Sequence, residues 1–166
     1  MEFTFGGWIS SYVVITNITN KEGATVFASL FWIAKAIFVF VFTFAPGTGS
    51  HKLKFLIISM MSSVFLTLFI IHIGETALAC YTSCFLFGLG TSSMYALIMV
   101  FAIEEGLKIE ESQTTNIVIA GAFSEGIITN LVGQLMYWFN PNMLFYSLLV
   151  ISVLMWIIYN YSLTLI

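Results

Sequence analysis

Long apolar runs separated by short polar breaks dominate the chain. Runs 24–44, 53–73, 77–103, 114–139 and 143–165 can each cross ~30 Å of hydrocarbon at ~1.5 Å per residue. Strict polar alternation of the barrel-strand kind is absent, and backbone groups in lipid must be satisfied within their own segment, so the runs predict helices. The breaks agree with that reading. Ala45-Pro46-Gly47-Thr48-Gly49-Ser50 reads as a turn, Gly74-Glu75 as a tight break, Glu104 to Gln113 as a polar loop and Asn140-Pro141-Asn142 as a helix stop and start. Breaks this short force consecutive helices to run antiparallel. A further apolar block, 3–18, has 16 residues and reaches only ~24 Å as a helix. It is expected to be the second half of a sixth span whose beginning is missing. Glu2 stands where a signal peptide would carry positive charge, and no small-residue cleavage site precedes Lys21.

Composition sharpens the picture. With 60% hydrophobic and 8% charged residues, the chain lacks the ionisable surface that a water-soluble particle needs, whereas a lipid-facing surface needs none. The lipid bilayer is therefore its first partner, and a multi-pass integral membrane location follows. Arg and Asp are both absent and the formal charge is −3, so there is no basic footprint for nucleic acid. Lys52, Lys54 and Lys108 fall on one side of the membrane and Lys21 on the other, which predicts that the first side, shared by the C-terminus, is cytoplasmic. Tyr137-Trp138-Phe139 and Trp156 with Tyr159 and Tyr161 cluster at span ends, where amphipathic rings anchor at headgroup level. Cys80 and Cys84 stack on one helix face without a His nearby, a packing pattern rather than a metal site. No metal and no cofactor is expected.

Phe3, Phe5, Gly6, Ser10 and Ser11 recur as Phe85, Phe87, Gly88, Ser92 and Ser93 at a constant offset of 82. That recurrence suggests a duplicated three-helix unit, whose two copies must cross the membrane in opposite directions because each has an odd number of spans. Four strings follow in order: Gly6-Gly7-Trp8-Ile9-Ser10-Ser11-Tyr12, Phe31-Trp32, Gly88-Leu89-Gly90-Thr91-Ser92-Ser93-Met94-Tyr95, and Gly121-Ala122-Phe123-Ser124-Glu125-Gly126. On these the chain resembles the C-terminal six-helix half of major facilitator superfamily transporters, in the fucose permease and sodium-dependent glucose transporter-like branch. The resemblance implies an all-α membrane protein made of two inverted three-helix repeats with the first helix truncated. It also implies secondary transport of a sugar-like solute, with a coupling ion, H+ or Na+, by alternating access against a second six-helix half. Phe38-Val39 and Ala96 stand where the branch has Gly-Arg and often Pro.

Several residues are candidates for chemistry. Lys35, near the middle of its run, costs on the order of 2.5–3.5 kcal/mol to insert and needs compensation. It is either a functional cation, facing the cavity or pairing with an acid, or a structural pin that stands in for the Arg of the branch. Glu125, also mid-span, is expected to be a proton-linked carboxylate, a gating residue or the counter-charge to Lys35. Beside it Ala122, Gly126, Thr129 and Gly133 form a small-residue stripe suited to close helix packing. Cys84, Gly88, Ser92, Tyr95 and Met99 share one face of a continuous helix, the expected cavity wall. Trp8, Ser11 and Tyr12 form the matching surface in the first copy. Substrate contact is assigned to Trp8, Tyr12, Ser92 and Tyr95, and cavity lining to Ser11, Gly88, Asn130 and Gln134, the last two serving equally well as interhelical glue. HExxH and GxSxG strings are absent and no Asp is available for an aspartyl dyad, so an enzyme is not expected. The alternative to a carrier is a non-transporting membrane scaffold, subunit or inactive fragment derived from one, for which the changes at Phe38-Val39 and Ala96 are what a relaxed site would look like.

Overall fold

A computed structural model describes residues 1–74, 76–106 and 111–165. Among them the helical segments are α1 Glu2–Ile15, α2 Lys21–Phe44, α3 Gly49–Ile73, α4 Thr76–Thr91, α5 Met94–Glu104, α6 Glu111–Trp138 and α7 Met143–Leu165. Segments α4 and α5 are two halves of one span, interrupted at Ser92-Ser93. Of the resulting six helices, five are long and apolar enough to cross a membrane, and α1 is not among them. The chain is an all-α, multi-pass integral membrane protein.

Polar caps set the helix starts and move two of them upstream of the apolar runs. Asn20 accepts the Gly23 N–H at 2.8 Å, so α2 begins at Lys21. Thr48 caps α3, and Glu104, reaching over from α5, accepts the Gly49 N–H at 2.9 and 2.8 Å. This moves the start of α3 from the predicted 53 to Gly49. At the other end of α1 the helix stops at Ile15, three residues early. Asn17 adopts φ 55°, and the N–H groups of Ile18 and Thr19 turn back to the Val13 carbonyl at 3.0 and 3.3 Å. Gly74 closes α3 at φ 96°, a left-handed conformation that glycine adopts without steric penalty. Glu75 of the predicted Gly74-Glu75 break lies outside the described residues, as do residues 107–110 of the polar loop, Lys108 included.

The core is centred on Phe5. Its ring lies 5.1 Å from Phe31 of α2, 4.7 Å from Phe87 of α4 and 6.5 Å from Phe145 of α7. Because lipid tails are as apolar as these side chains, helix association here depends on close packing and interhelical polar contacts rather than on escape from water. Close packing is visible at two glycines of α4. A Cβ on Gly88 would sit 2.9 Å from the Phe31 carbonyl oxygen and 3.0 Å from the Lys35 nitrogen, and one on Gly90 would sit 2.8 Å from Met60 Cα. A second cluster joins α3, α5 and α7 through Leu53, Leu56, Ile57, Leu97, Phe101 and Tyr159. Ser50 and Tyr159 hydroxyls meet there at 3.0 Å. The start of α3, the end of α5 and the last turns of α7 thus share one end of the bundle, with Lys52 and Lys54 on it. Helix α6 differs from the rest: it packs on α1 and α7, and Val132 and Met136, both in its second half, are its buried residues.

Gly88→Val should lower the thermal midpoint of the detergent-solubilised chain, since overpacking costs about 1–3 kcal/mol. Gly126→Ala should leave it unchanged, because nothing lies within 4 Å of that position. Equal midpoints for the two variants, read by intrinsic tryptophan fluorescence, would contradict the α2–α4 packing described here.

Candidate functional site: a groove beside a mid-span ion pair

Lys35 lies near the middle of α2, and its ammonium donates to the Glu2 carboxylate in the first turn of α1. The two side chains are only 20% and 25% exposed, so each charge would be poorly solvated without the other. The ammonium also lies 5.3 Å from the Trp32 ring centroid, within the range of cation–π attraction. The counter-charge to Lys35 is therefore Glu2, and of the alternatives open for Glu125 the pairing with Lys35 does not form. Glu125 instead accepts the Phe3 N–H at 3.2 Å, with the Met1 amine at 3.7 Å. A carboxylate at the N-terminal end of α1 is favoured by the helix dipole and by the free N–H groups of the first turn.

Three further contacts tie α1 to the second half of α6. Trp8 Nε1 donates to the Thr129 carbonyl at 2.8 Å, Thr4 and Thr129 hydroxyls meet at 3.0 Å, and the Trp8 ring occupies the space a side chain on Gly133 would need. The small-residue stripe therefore divides. Thr129 and Gly133 pack on α1, while Ala122 and Gly126 stay open.

The first half of α6 stands away from α5, leaving a groove of about 610 Å³. Glu125 and Gly121 of α6, Tyr95 and Ile98 of α5, Thr91 of α4 and Met155 of α7 are on its walls. A shallower recess of about 490 Å³ continues along α6 past Glu125 to Trp8 and Asn130. Four of the residues singled out in the sequence, Trp8, Tyr95, Glu125 and Asn130, thus gather along one side of α6.

The others lie elsewhere. Tyr12 is fully buried in the core, and its hydroxyl donates to Asn142 Oδ1 at 2.8 Å. Gly88 is the close-contact point with α2. Ser11 is half-buried on α1 outside both recesses, and Gln134 is exposed, donating to Asn130 Oδ1 at 3.3 Å. Ser92 is buried at the break between α4 and α5, and its hydroxyl has no hydrogen-bond partner among the described residues. The continuous face expected from Cys84 to Met99 does not form, because the interruption at Ser92-Ser93 re-aims everything after it. Cys84 and Gly88 turn into the core while Tyr95, 48% exposed, faces the groove.

No family model, curated protein or solved structure matches the chain. What the structure establishes is an all-α multi-pass membrane protein with an open groove whose walls include Tyr95 and Glu125. Two residues beyond the sequence-based site set matter to it: Glu2, and Thr129, which the sequence marked only as part of the packing stripe. Glu2 had a readable signal: it and Lys35 are equally far along the chain from the midpoint of Ile18 and Thr19, and an antiparallel helix pair sets such positions level. The stripe marked Thr129 for close packing, but its carbonyl as the acceptor for Trp8 and its hydroxyl contact with Thr4 carry no sequence pattern.

The Glu2–Lys35 pair should show coupling in a double-mutant cycle. Lys35→Met and Glu2→Gln each leave one unpaired charge and lower the thermal midpoint, and the double variant recovers much of the loss. The expected coupling is about 0.5–3 kcal/mol. Simple additivity of the two effects would show that the pair contributes nothing to stability.

Proposed function

We propose that the chain is one six-helix half of a facilitator-type secondary carrier, built from two inverted three-helix repeats, that holds a small organic solute in the groove between α1, α5 and α6. The observation that supports this most directly is that Tyr95 and Glu125, from different spans, both line one groove. Two further features agree with it. A helix broken inside the membrane, like the span interrupted at Ser92-Ser93, is the kind of element from which such carriers build solute sites. The packing of α4 on α2 also has a counterpart in the packing of α1 on α6, as expected if α1 corresponds to α4 with α5, and α2 to α6.

In this reading a second six-helix half covers the open side of the groove, and rocking of the two halves exposes it alternately to either face. Glu125 is the group on which a coupling H+ or Na+ would act. The protein has no catalytic role in this account. The resemblance of its motifs implies a sugar-like solute.

Uptake into vesicles tests the proposal. The chain, reconstituted with its co-expressed partner, should take up a labelled solute from a panel of hexoses and organic cations. Tyr95→Ala and Glu125→Gln should abolish uptake at unchanged membrane levels. Absence of uptake for every solute, with and without the partner, would sink the carrier and leave a scaffold that kept the helical packing. Transport by the reconstituted monomer alone would remove the need for a second half.

A further inference from the structure

We propose that a separate groove, between α3, α5 and α7, binds a sterol-class lipid: a rigid apolar body carrying one terminal hydroxyl. The groove holds about 320 Å³. Its walls include Ile57 of α3, Met94, Ile98 and Phe101 of α5, and Met155 and Ile158 of α7, with no charged side chain among the described residues. Ala102 and Ser162 stand at the end of the bundle where Ser50 meets Tyr159, and Met94 and Met155 at the deep end. From Ala102 to Met94 and from Ser162 to Met155 the groove runs ~10–12 Å at ~1.5 Å per residue. That is shorter than the ~15 Å apolar depth of one leaflet. On its rim Ile98 and Ile158 are exposed, so the groove is continuous with the lipid-facing surface and its occupant arrives from the bilayer.

Hydrogen bonding at the mouth selects the polar group of the ligand. The Ser162 hydroxyl donates to the Tyr159 carbonyl at 2.7 Å, and the Tyr159 hydroxyl to the Ser50 carbonyl at 3.2 Å. The Ser50 hydroxyl meets Tyr159 Oη at 3.0 Å, so all three protons are engaged. What the mouth still offers is acceptor capacity, above all the lone pairs of Ser162 Oγ. A phosphate or carboxylate brings acceptors only and finds no free donor there, and Lys52 on the same end of the bundle lines a different recess with Glu104. A ligand hydroxyl donates its own proton and is matched. Rigidity selects the body. Within hydrocarbon nothing is gained by leaving water, so an acyl chain that enters the groove loses conformational freedom for little return. Fused rings have no such freedom to lose, and the methionines at the deep end adapt to their shape.

Trp156 reports on occupancy, because its ring lies 6.2 Å from that of Tyr159. The full chain in phosphatidylcholine nanodiscs is titrated with dehydroergosterol, a sterol that accepts energy from tryptophan. Quenching of tryptophan emission should saturate, and Trp156→Phe should remove most of the saturable part. Cholesterol should restore the emission. Epicholesterol, the same body with its hydroxyl inverted, should need about fivefold more, the effect of one hydrogen bond. Ser162→Ala should bring the two epimers level, and Ala102→Phe, which fills the groove, should abolish saturable quenching. Phosphatidylglycerol should not displace the probe. Equal potency of the epimers on the unaltered chain, an epimer preference that survives Ser162→Ala, saturable quenching untouched by Ala102→Phe, or displacement by phosphatidylglycerol would each overturn the inference. Comparison of the epimers on the unaltered chain decides the matter even if the variants fail to fold.

Discussion

An ammonium group halfway along a helix that crosses hydrocarbon has to meet an opposite charge, and much of this architecture follows from where Lys35 meets its own. Glu2 supplies it from the start of α1, which fixes how far α1 runs along α2. With that register set, Phe5 falls between Phe31 and Phe87, and Gly6 comes level with Phe31, where a Cβ would already be 3.1 Å from that ring. The polar pair therefore specifies an alignment, and the aromatic core fills it. In a solvent that offers no hydrophobic driving force between helices, this division of labour is expected. Polar contacts choose the register and tight packing supplies the cohesion.

The same register turns the other side of α1 toward α6, and the consequences run unevenly along that helix. Thr129 and Gly133 are held by Trp8 and Thr4, and Val132 and Met136 are buried. Glu125 is held through the Phe3 N–H. Before Glu125 the helix makes few packing contacts, and its apolar side chains, such as Phe123 at 70% exposure, face outward.

The membrane class, the five long spans and the short antiparallel connections were all legible in the chain, because run length against bilayer thickness is a one-dimensional measurement. Helix starts were less so. Lys21 and Gly49 are polar or small residues that belong to helices only because Asn20, Thr48 and Glu104 satisfy the first turns, and Glu104 comes from a different span. Of the candidate site, Tyr95, Glu125, Trp8 and Asn130 were found by their rarity or placement within apolar runs. Tyr12 and Gly88 were singled out on equal grounds, yet the first is bonded to Asn142 deep in the core and the second touches the α2 backbone. Residue type alone does not say which way a side chain points when every neighbour is apolar.

The largest difference between pattern and structure, the interruption at Ser92-Ser93, is also what sets Tyr95 on the groove wall. On an unbroken helix Tyr95 would lie over Gly88 and Cys84, a face buried against α2 and the aromatic core. There it would have to be accommodated in space that the Gly88 contact leaves closed. The break lets α5 start anew, with the Leu97 N–H taken by the Ser93 carbonyl at 2.9 Å and the Ser92 N–H by that of Leu89 at 3.2 Å. Those bonds keep backbone groups satisfied in a layer without water, so the reorientation exposes little unpaired polarity apart from the Ser92 hydroxyl. Tyr95 turns instead toward α6 and Glu125. The duplicated Ser-Ser in the first copy, Ser10-Ser11, sits within an unbroken α1, with Ser10 bonded to the Ala24 carbonyl at 3.1 Å. The same dipeptide therefore does not break a helix by itself. Ser10 has a neighbouring helix that accepts its proton, whereas the buried Ser92 hydroxyl finds no such acceptor.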